Sequence, residues 1–132
     1  SKLVKAQYAG INFDAVTSVP AFYNNDDNFF DHAMYLGKAV ADNIGLSFDA
    51  SLLEKTAQRV KQHSLDFEQR FKNVNGLYKC SGNSQNYKTI LLIDDISTTG
   101  ATFMECARVL KKFGVKNTYC AAVALTPKRI LQ

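Results

Sequence analysis

Residues 90–102 read Ile-Leu-Leu-Ile-Asp-Asp-Ile-Ser-Thr-Thr-Gly-Ala-Thr, and this stretch decides the fold class. The four large aliphatic residues at its start are typical of a strand buried on both faces, which is the usual state of a central parallel strand. Asp94 and Asp95 follow at the carboxyl end of that strand. Because open α/β sheets bind their ligands at this edge, the stretch predicts a parallel α/β sheet with a ligand site beside the two carboxylates.

The second half of the stretch has the composition of a phosphate-binding loop. Ser97, Thr98, Thr99 and Thr102 offer hydroxyl donors, and Gly100 allows a close backbone approach. A loop that opens a helix turns backbone N–H groups toward an anion at the positive end of the helix dipole. A phosphate beside two carboxylates indicates a sugar phosphate, whose hydroxyl groups and Mg²⁺ would occupy the acidic side. An ordinary capped turn is the alternative.

The composition is that of one globular domain, which we take to be residues 1–132, with 46% hydrophobic and 21% charged residues. No apolar run approaches the roughly 20 residues that span a bilayer, and no signal peptide is apparent. The three cysteines lack paired spacing, which favours free thiols. We therefore predict a cytoplasmic protein without a membrane partner. The net charge of +4 fits an anionic ligand and is too small to argue for nucleic acid, which stays open, as does a homodimer.

Strand and helix patterns alternate along the chain. Runs of β-forming or continuous apolar residues predict strands at 13–19, 48–53, 76–80, 90–93 and 118–125. Apolar residues at helical spacing predict helices at 30–44, 64–74 and 103–113. This alternation implies a parallel sheet of about five strands, flanked by helices and joined by right-handed crossovers.

The order of residues in 90–102 resembles the phosphoribosyl pyrophosphate (PRPP) signature of type I phosphoribosyltransferases, and it matches that signature at every position. The resemblance implies the α/β fold of that family, here with little or no hood. It also implies that Asp94 and Asp95 are catalytic residues that hold the ribose hydroxyls. The residues implied to bind the 5′-phosphate are Ile96, Ser97, Thr98, Thr99, Gly100, Ala101 and Thr102.

A second stretch resembles the ComF-like (competence protein F) branch of these enzymes. The matching residues are Gln62, Leu65, Arg70, Asn73, Val74, Gly76 and Tyr78. We expect the N-terminal zinc ribbon of that branch to be lacking, because no Cys pair stands near the start of the sequence. In type I enzymes the segment between the second and third strands folds over the substrate. The resemblance makes Arg59, Lys61, Gln62 and Arg70 candidates in that flexible loop, with a solvated helix face as the alternative.

The dipeptide Val19-Pro20 marks a third feature of the resemblance. It implies a pyrophosphate-binding loop at Val19, Pro20 and Ala21, which acts largely through backbone N–H groups. The ComF-like branch continues with a basic run, whereas residues 27–32 read Asp-Asn-Phe-Phe-Asp-His. We therefore expect this loop to bind pyrophosphate more weakly than in that branch. The alternative is that these residues form a plain turn before a helix and bind no pyrophosphate.

The function implied is Mg²⁺-dependent transfer of the phosphoribosyl group from PRPP, or from another ribose 5-phosphate ligand, to an unidentified acceptor with release of pyrophosphate. We expect no direct protein ligand to Mg²⁺, because this ion is held mostly by substrate oxygens and water. Two other functions stay open. One is a PRPP or nucleotide sensor with little or no turnover, and the other is a competence accessory protein in DNA uptake.

Overall fold

The computed structural model describes residues 8–21, 30–56, 76–81, 86–97 and 100–125. The helix expected at 64–74 lies outside these residues, as do Thr98, Thr99 and the four flexible-loop candidates. The strands of the described part are β1 (Ala15–Ser18), β2 (Leu53–Lys55), β3 (Tyr78–Cys80), β4 (Thr89–Ser97) and β5 (Asn117–Leu125). Its helices are α1 (His32–Ile44) and α2 (Ala101–Lys112). Within these ranges, neither helix is long and apolar enough to cross a membrane.

The parallel sheet has the strand order β1-β4-β5, with β4 at its centre. Ile90, Leu91 and Leu92 are fully buried, because strands cover both edges of β4 and helices cover both faces. Phe48 adds one parallel bridge to Val16 on the outer edge of β1. The predicted α/β class with a parallel sheet is confirmed, with three strands in the sheet of the described part. Of the strand expected at 48–53, only the Phe48 bridge and Leu53, the first residue of β2, are in β-structure.

The strands β2 and β3 form a separate antiparallel pair, with Leu53 opposite Cys80 and Lys55 opposite Tyr78. The sequence predicts strands at 48–53 and 76–80 within the parallel sheet, so the antiparallel pairing of β2 with β3 is a correction. Leu53 and Tyr78 are buried, whereas Glu54 is exposed. Only one face of the pair is apolar, which suits an antiparallel ribbon with one solvated side better than a parallel strand covered on both faces.

The two helices pack on opposite faces of the sheet, because side chains alternate along β4. Leu91 and Ile93 pack on the side of α1, and Ile90 and Leu92 pack on the side of α2. The helix α1 carries the chain outward from β1 to Phe48, and α2 carries it outward from β4 to β5. The winding therefore reverses between β1 and β4, and the carboxyl end of such a reversal is where open α/β sheets form a ligand crevice.

The ends of α1 follow the local sequence signals. Its N-cap is Asp31, whose Oδ1 accepts a hydrogen bond from the Met34 N–H at 2.9 Å. Its C-cap is Gly45, with a φ of 76° that suits glycine. The helix predicted at 30–44 is thus confirmed to within two residues, and Asp31 stands at the sheet edge where β1 ends.

Candidate functional site

The acidic pair lies inside the end of β4, because that strand continues through Asp94 and Asp95 to Ser97. The strand β5 accompanies β4 along this whole length. The strand β1 accompanies it only to Ile93, whose carbonyl accepts a hydrogen bond from the Val19 N–H at 2.9 Å. The pairing of β1 with β4 ends there, so the aspartates stand where these two strands part.

Burial raises the pKa of Asp94 from its ordinary 3.8 to about 7, and the side-chain hydrogen bond and charge of Asp95 and the charge of Asp31 add to this rise, whereas the hydrogen bond from the Asp95 N–H opposes it. Asp94 Oδ1 accepts from the Asp95 N–H at 2.8 Å, and Asp95 Oδ1 accepts from the Ile96 N–H at 2.9 Å. A pKa of about 7 means that the Asp94 carboxyl is partly protonated near neutral pH.

The loop predicted to bind phosphate, residues 96–102, is described at its two ends. Ile96 is exposed, and Gly100 is the N-cap of α2, with its carbonyl accepting from the Met104 N–H at 2.9 Å. Gly100 has a φ of 81°, and a Cβ built there would meet no protein atom within 4 Å. The left-handed backbone, and not crowding by the protein, is what requires glycine here. A side chain at position 100 would therefore be strained by the backbone and would meet no described protein atom.

A cleft of about 370 Å³ lies at the carboxyl end of β1. Its walls include Pro20 and Ala21, Asp31 at the start of α1, and Glu54 and Lys55 of β2. The structure thus brings two of the three residues predicted to bind pyrophosphate to one cavity. The aspartates of β4 do not line the cleft and adjoin it through Asp31, whose charge acts on Asp94.

Val19 has a different position from its two neighbours in the predicted pyrophosphate loop. Its side chain is buried, and its N–H is bonded to the Ile93 carbonyl. Pro20 has no N–H to donate. A backbone grip from this tripeptide therefore depends on the Ala21 N–H, and a charged contact to pyrophosphate must come from another element.

Lys55 supplies a positive charge at the cleft that the sequence analysis did not assign. Side chains alternate along β2, and Leu53 is buried, so Lys55 lies on the same face of the strand. Its Nζ is 5.9 Å from the centre of the Tyr78 ring on β3. Burial raises the pKa of the Cys106 thiol, the charge of Asp94 adds to this rise, and the charge of Lys55 opposes it. The charges of Lys55 and Asp94 therefore both act on the same buried thiol.

Two acids line the cleft, Asp31 and Glu54. Asp31 caps α1, whereas Glu54 is exposed and forms a 3.9 Å ion pair with Lys79. Asp26 and Asp27 lie outside the described residues. Within the described ranges, no group of three or more His, Cys, Asp or Glu residues could hold a metal ion. A cation at the aspartate pair would therefore need oxygen atoms from a ligand.

No family model matches the sequence. Over 93 residues the chain is 31% identical to a ribose-phosphate pyrophosphokinase of Thermococcus kodakarensis, and the match covers 68% of this chain and 27% of that enzyme. The chain thus spans well under two thirds of the length of this curated relative.

Three solved structures resemble the chain, each with a TM-score of 0.59. Two are the allosteric regulatory enzyme of purine biosynthesis and the glutamine PRPP amidotransferase from B. subtilis complexed with ADP and GMP. Each is 18% identical and covers 89% of this chain, which spans 23% and 24% of theirs. The third is an adenine phosphoribosyltransferase, 12% identical, with coverage of 95% and 65%. These likenesses confirm the predicted phosphoribosyltransferase-like α/β fold.

Proposed function

We propose that this chain binds PRPP and transfers its phosphoribosyl group to an acceptor with release of pyrophosphate. The observation that carries the proposal is the position of the acidic pair and the phosphate-type loop. Both stand at the carboxyl end of β4, where the winding of the sheet reverses, and beside a cleft with Lys55 on its wall. The names of two structural relatives, a PRPP amidotransferase and an adenine phosphoribosyltransferase, support this reading.

Each part of the ligand has a place in this proposal. The 5′-phosphate lies in the loop from Ile96 to Thr102, against the first N–H groups of α2. Asp94 and Asp95 accept hydrogen bonds from the ribose hydroxyls. The pyrophosphate lies in the cleft against Ala21 and Lys55, and the four flexible-loop candidates between 59 and 70 stay additional donors.

The bond that breaks joins the anomeric carbon to the pyrophosphate oxygen, and positive charge develops on the ribose as the leaving group departs. The ionised aspartate pair stabilises the ribose side, and Lys55 stabilises the negative charge on pyrophosphate. The oxygen donors of Asp94 and Asp95 fit Mg²⁺ only together with ligand and water oxygens. When bound, Mg²⁺ would neutralise part of the pyrophosphate charge.

The acceptor is an open part of the proposal. The residues between 62 and 78 that resemble the ComF-like branch support an alternative function, a DNA-uptake (competence) accessory protein with little or no turnover. Cys80, Cys106 and Cys120 are free thiols, which fits our proposal of a reducing, cytoplasmic location. Asp31 in the cleft favours a related candidate, a PRPP sensor with slow turnover, because a carboxylate near a leaving anion raises the barrier to its departure.

A second candidate reaction uses the same site. The 31% identity to a ribose-phosphate pyrophosphokinase favours transfer of pyrophosphate onto ribose phosphate. Both reactions require a 5′-phosphate loop, a ribose site and a pyrophosphate site. They differ in the second substrate, which is a nucleophilic acceptor in one case and a pyrophosphate donor such as ATP in the other.

The test is calorimetric titration of the purified chain with ribose 5-phosphate and with PRPP, each with Mg²⁺. We expect both to bind, and PRPP to bind more tightly. A screen for pyrophosphate release over bases and amines, and a screen for PRPP formation from ribose 5-phosphate and ATP, separate the two reactions. Failure of the wild-type chain to bind either ligand would overturn the proposal.

The phosphate loop has a matched pair of variants. Gly100→Ala and Gly45→Ala both place a Cβ on a backbone of positive φ with no protein atom within 4 Å, so both carry a similar strain. Gly100 opens α2 at the proposed site, whereas Gly45 ends α1 at the opposite edge of the sheet. We expect Gly100→Ala to weaken ribose 5-phosphate binding at least about tenfold and Gly45→Ala to leave it unchanged. Equal affinities in the two variants would place the phosphate elsewhere.

A further inference from the structure

Glu105 is a buried carboxylate in the second turn of α2, only 7% exposed. Its two oxygens accept from Arg108 Nε at 2.9 Å and Arg108 Nη2 at 2.7 Å, and Oε2 also accepts from the Gly76 N–H at 3.1 Å. The Arg108 guanidinium holds the pKa of Glu105 below its usual range. A buried charge requires such partners, because its desolvation is otherwise costly. The hydrogen bond from the Gly76 N–H joins α2 to the chain that leads into β3 of the β2–β3 pair.

The Gly76 peptide is held from its other side by Thr56. Thr56 Oγ1 donates to the Gly76 carbonyl at 3.2 Å or to the Leu77 carbonyl at 3.0 Å, and the Thr56 N–H donates to Leu77 O at 2.6 Å. Thr56 directly follows Lys55, which lines the cleft. A continuous set of hydrogen bonds therefore runs from α2 through Gly76 and Thr56 to the residue beside Lys55.

We propose that Glu105 is a positioning residue that ties the helix opened by the phosphate loop to the β2–β3 pair and so holds Lys55 at the cleft. This inference rests on the proposed function and deepens it. In the described part of the chain, β2 and β3 pair with each other and not with the parallel sheet. Hydrogen bonds of Asp49 tie the chain before β2 to the sheet. Among the described residues, apolar packing and the directional contact of Glu105 with Gly76 join α2 to the pair.

The inference predicts a selective effect on ligands. Ribose 5-phosphate has no pyrophosphate, so its contacts lie on β4 and at the start of α2, and they do not need the β2–β3 pair. PRPP adds a pyrophosphate that must meet Lys55. Loss of the hydrogen bond between Glu105 and Gly76 should therefore weaken PRPP binding and leave ribose 5-phosphate binding unchanged. If Glu105 had a merely structural role, its replacement would weaken the binding of both ligands or of neither.

The experiment compares Glu105→Gln and Thr56→Val with the control Asp42→Asn, which makes the same charge change as Glu105→Gln on an exposed position of α1. Each variant and the wild type are titrated with both ligands in the presence of Mg²⁺, and folding is checked by thermal melting. We expect Glu105→Gln and Thr56→Val each to raise the Kd of PRPP about tenfold and to leave that of ribose 5-phosphate within about threefold. In the double variant, the Kd of PRPP should rise by less than the product of the two single effects, because both changes weaken the same set of hydrogen bonds between α2 and Thr56.

Two outcomes overturn the inference while the proposed function stands. One is an equal fold loss of affinity for both ligands, and the other is an unchanged affinity for both ligands in folded variants. Should Glu105→Gln fail to fold, Thr56→Val decides alone, because Thr56 is exposed and keeps its backbone hydrogen bond. Failure of the wild-type chain to bind either ligand would instead sink the proposed function, and the inference with it.

Discussion

Replacing Lys55 with Gln is expected to weaken PRPP binding by about 10- to 100-fold and to leave ribose 5-phosphate binding nearly unchanged. Lys55 is half-buried on the cleft wall, on the same face of β2 as the buried Leu53. A unit charge about 4 Å from a phosphate oxygen gains up to about 4 kcal/mol at an effective dielectric of 20, before the ammonium loses water. Measured hydrogen bonds to charged groups contribute about 1.5–3 kcal/mol after this loss of water. At about 1.4 kcal/mol for each tenfold change in Kd, that energy corresponds to the expected 10- to 100-fold loss of PRPP affinity.

The matched control for Lys55→Gln is Lys79→Gln. Lys79 lies on the neighbouring strand and faces outward, and its 3.9 Å ion pair with Glu54 joins side chains that are 58% and 55% exposed. Such an exposed pair contributes less than about 1 kcal/mol, so its loss should not alter folding. Titration with both ligands at about 0.15 M salt limits long-range charge effects. Similar losses in the two variants would refute the reasoning, because the effect would then come from net charge and not from a contact in the cleft.

The remaining predictions concern Asp94 and Gly37. Asp94 has a pKa of about 7 and must ionise to accept hydrogen bonds from the ribose hydroxyls, so PRPP affinity should fall as pH drops from about 8 to 6. Asp94→Asn should flatten this pH profile. An equally steep profile in the variant would assign the pH dependence to another group. The raised pKa of folded Asp94 also means that the wild type loses stability as pH rises from about 4 to 7, so Asp94→Asn should melt higher than wild type at pH 8, with a smaller difference at pH 5. Gly37→Ala would place a Cβ 2.5 Å from Phe48 Cε1. The cost of this overlap should exceed the gain in helix propensity of about 1 kcal/mol and lower the free energy of unfolding by about 1–3 kcal/mol in urea titrations. Lys38→Ala, on the exposed face of α1, should not lower it. A stabilised Gly37→Ala variant would show that the Phe48 ring can move aside.

The central strand, the two described helices and the acidic pair could be predicted from the sequence because their signals are local. Four consecutive aliphatic residues at 90–93 specify a strand covered on both faces, whatever its neighbours are. The helix α1 carries its own cap at Asp31 and its own stop at Gly45, so its ends follow from residues within one turn. The signature loop lies at the end of that central strand, and its position in the fold therefore follows with it.

The pairing of β2 with β3, and with it the role of Lys55, was decided by the tertiary structure. The tripeptide Leu53-Glu54-Lys55 is too short to indicate which strand pairs with it. In the sequence, a lysine beside a glutamate is typical of a solvent-exposed surface, and only the observed register places Lys55 on the buried face of β2. The Glu105 contact with Gly76 joins residues that are 29 positions apart, and the pKa of Asp94 depends on burial and on the charge of Asp31. Burial and proximity between distant residues arise only when the chain packs, so these parts of the site could not be predicted from local sequence patterns.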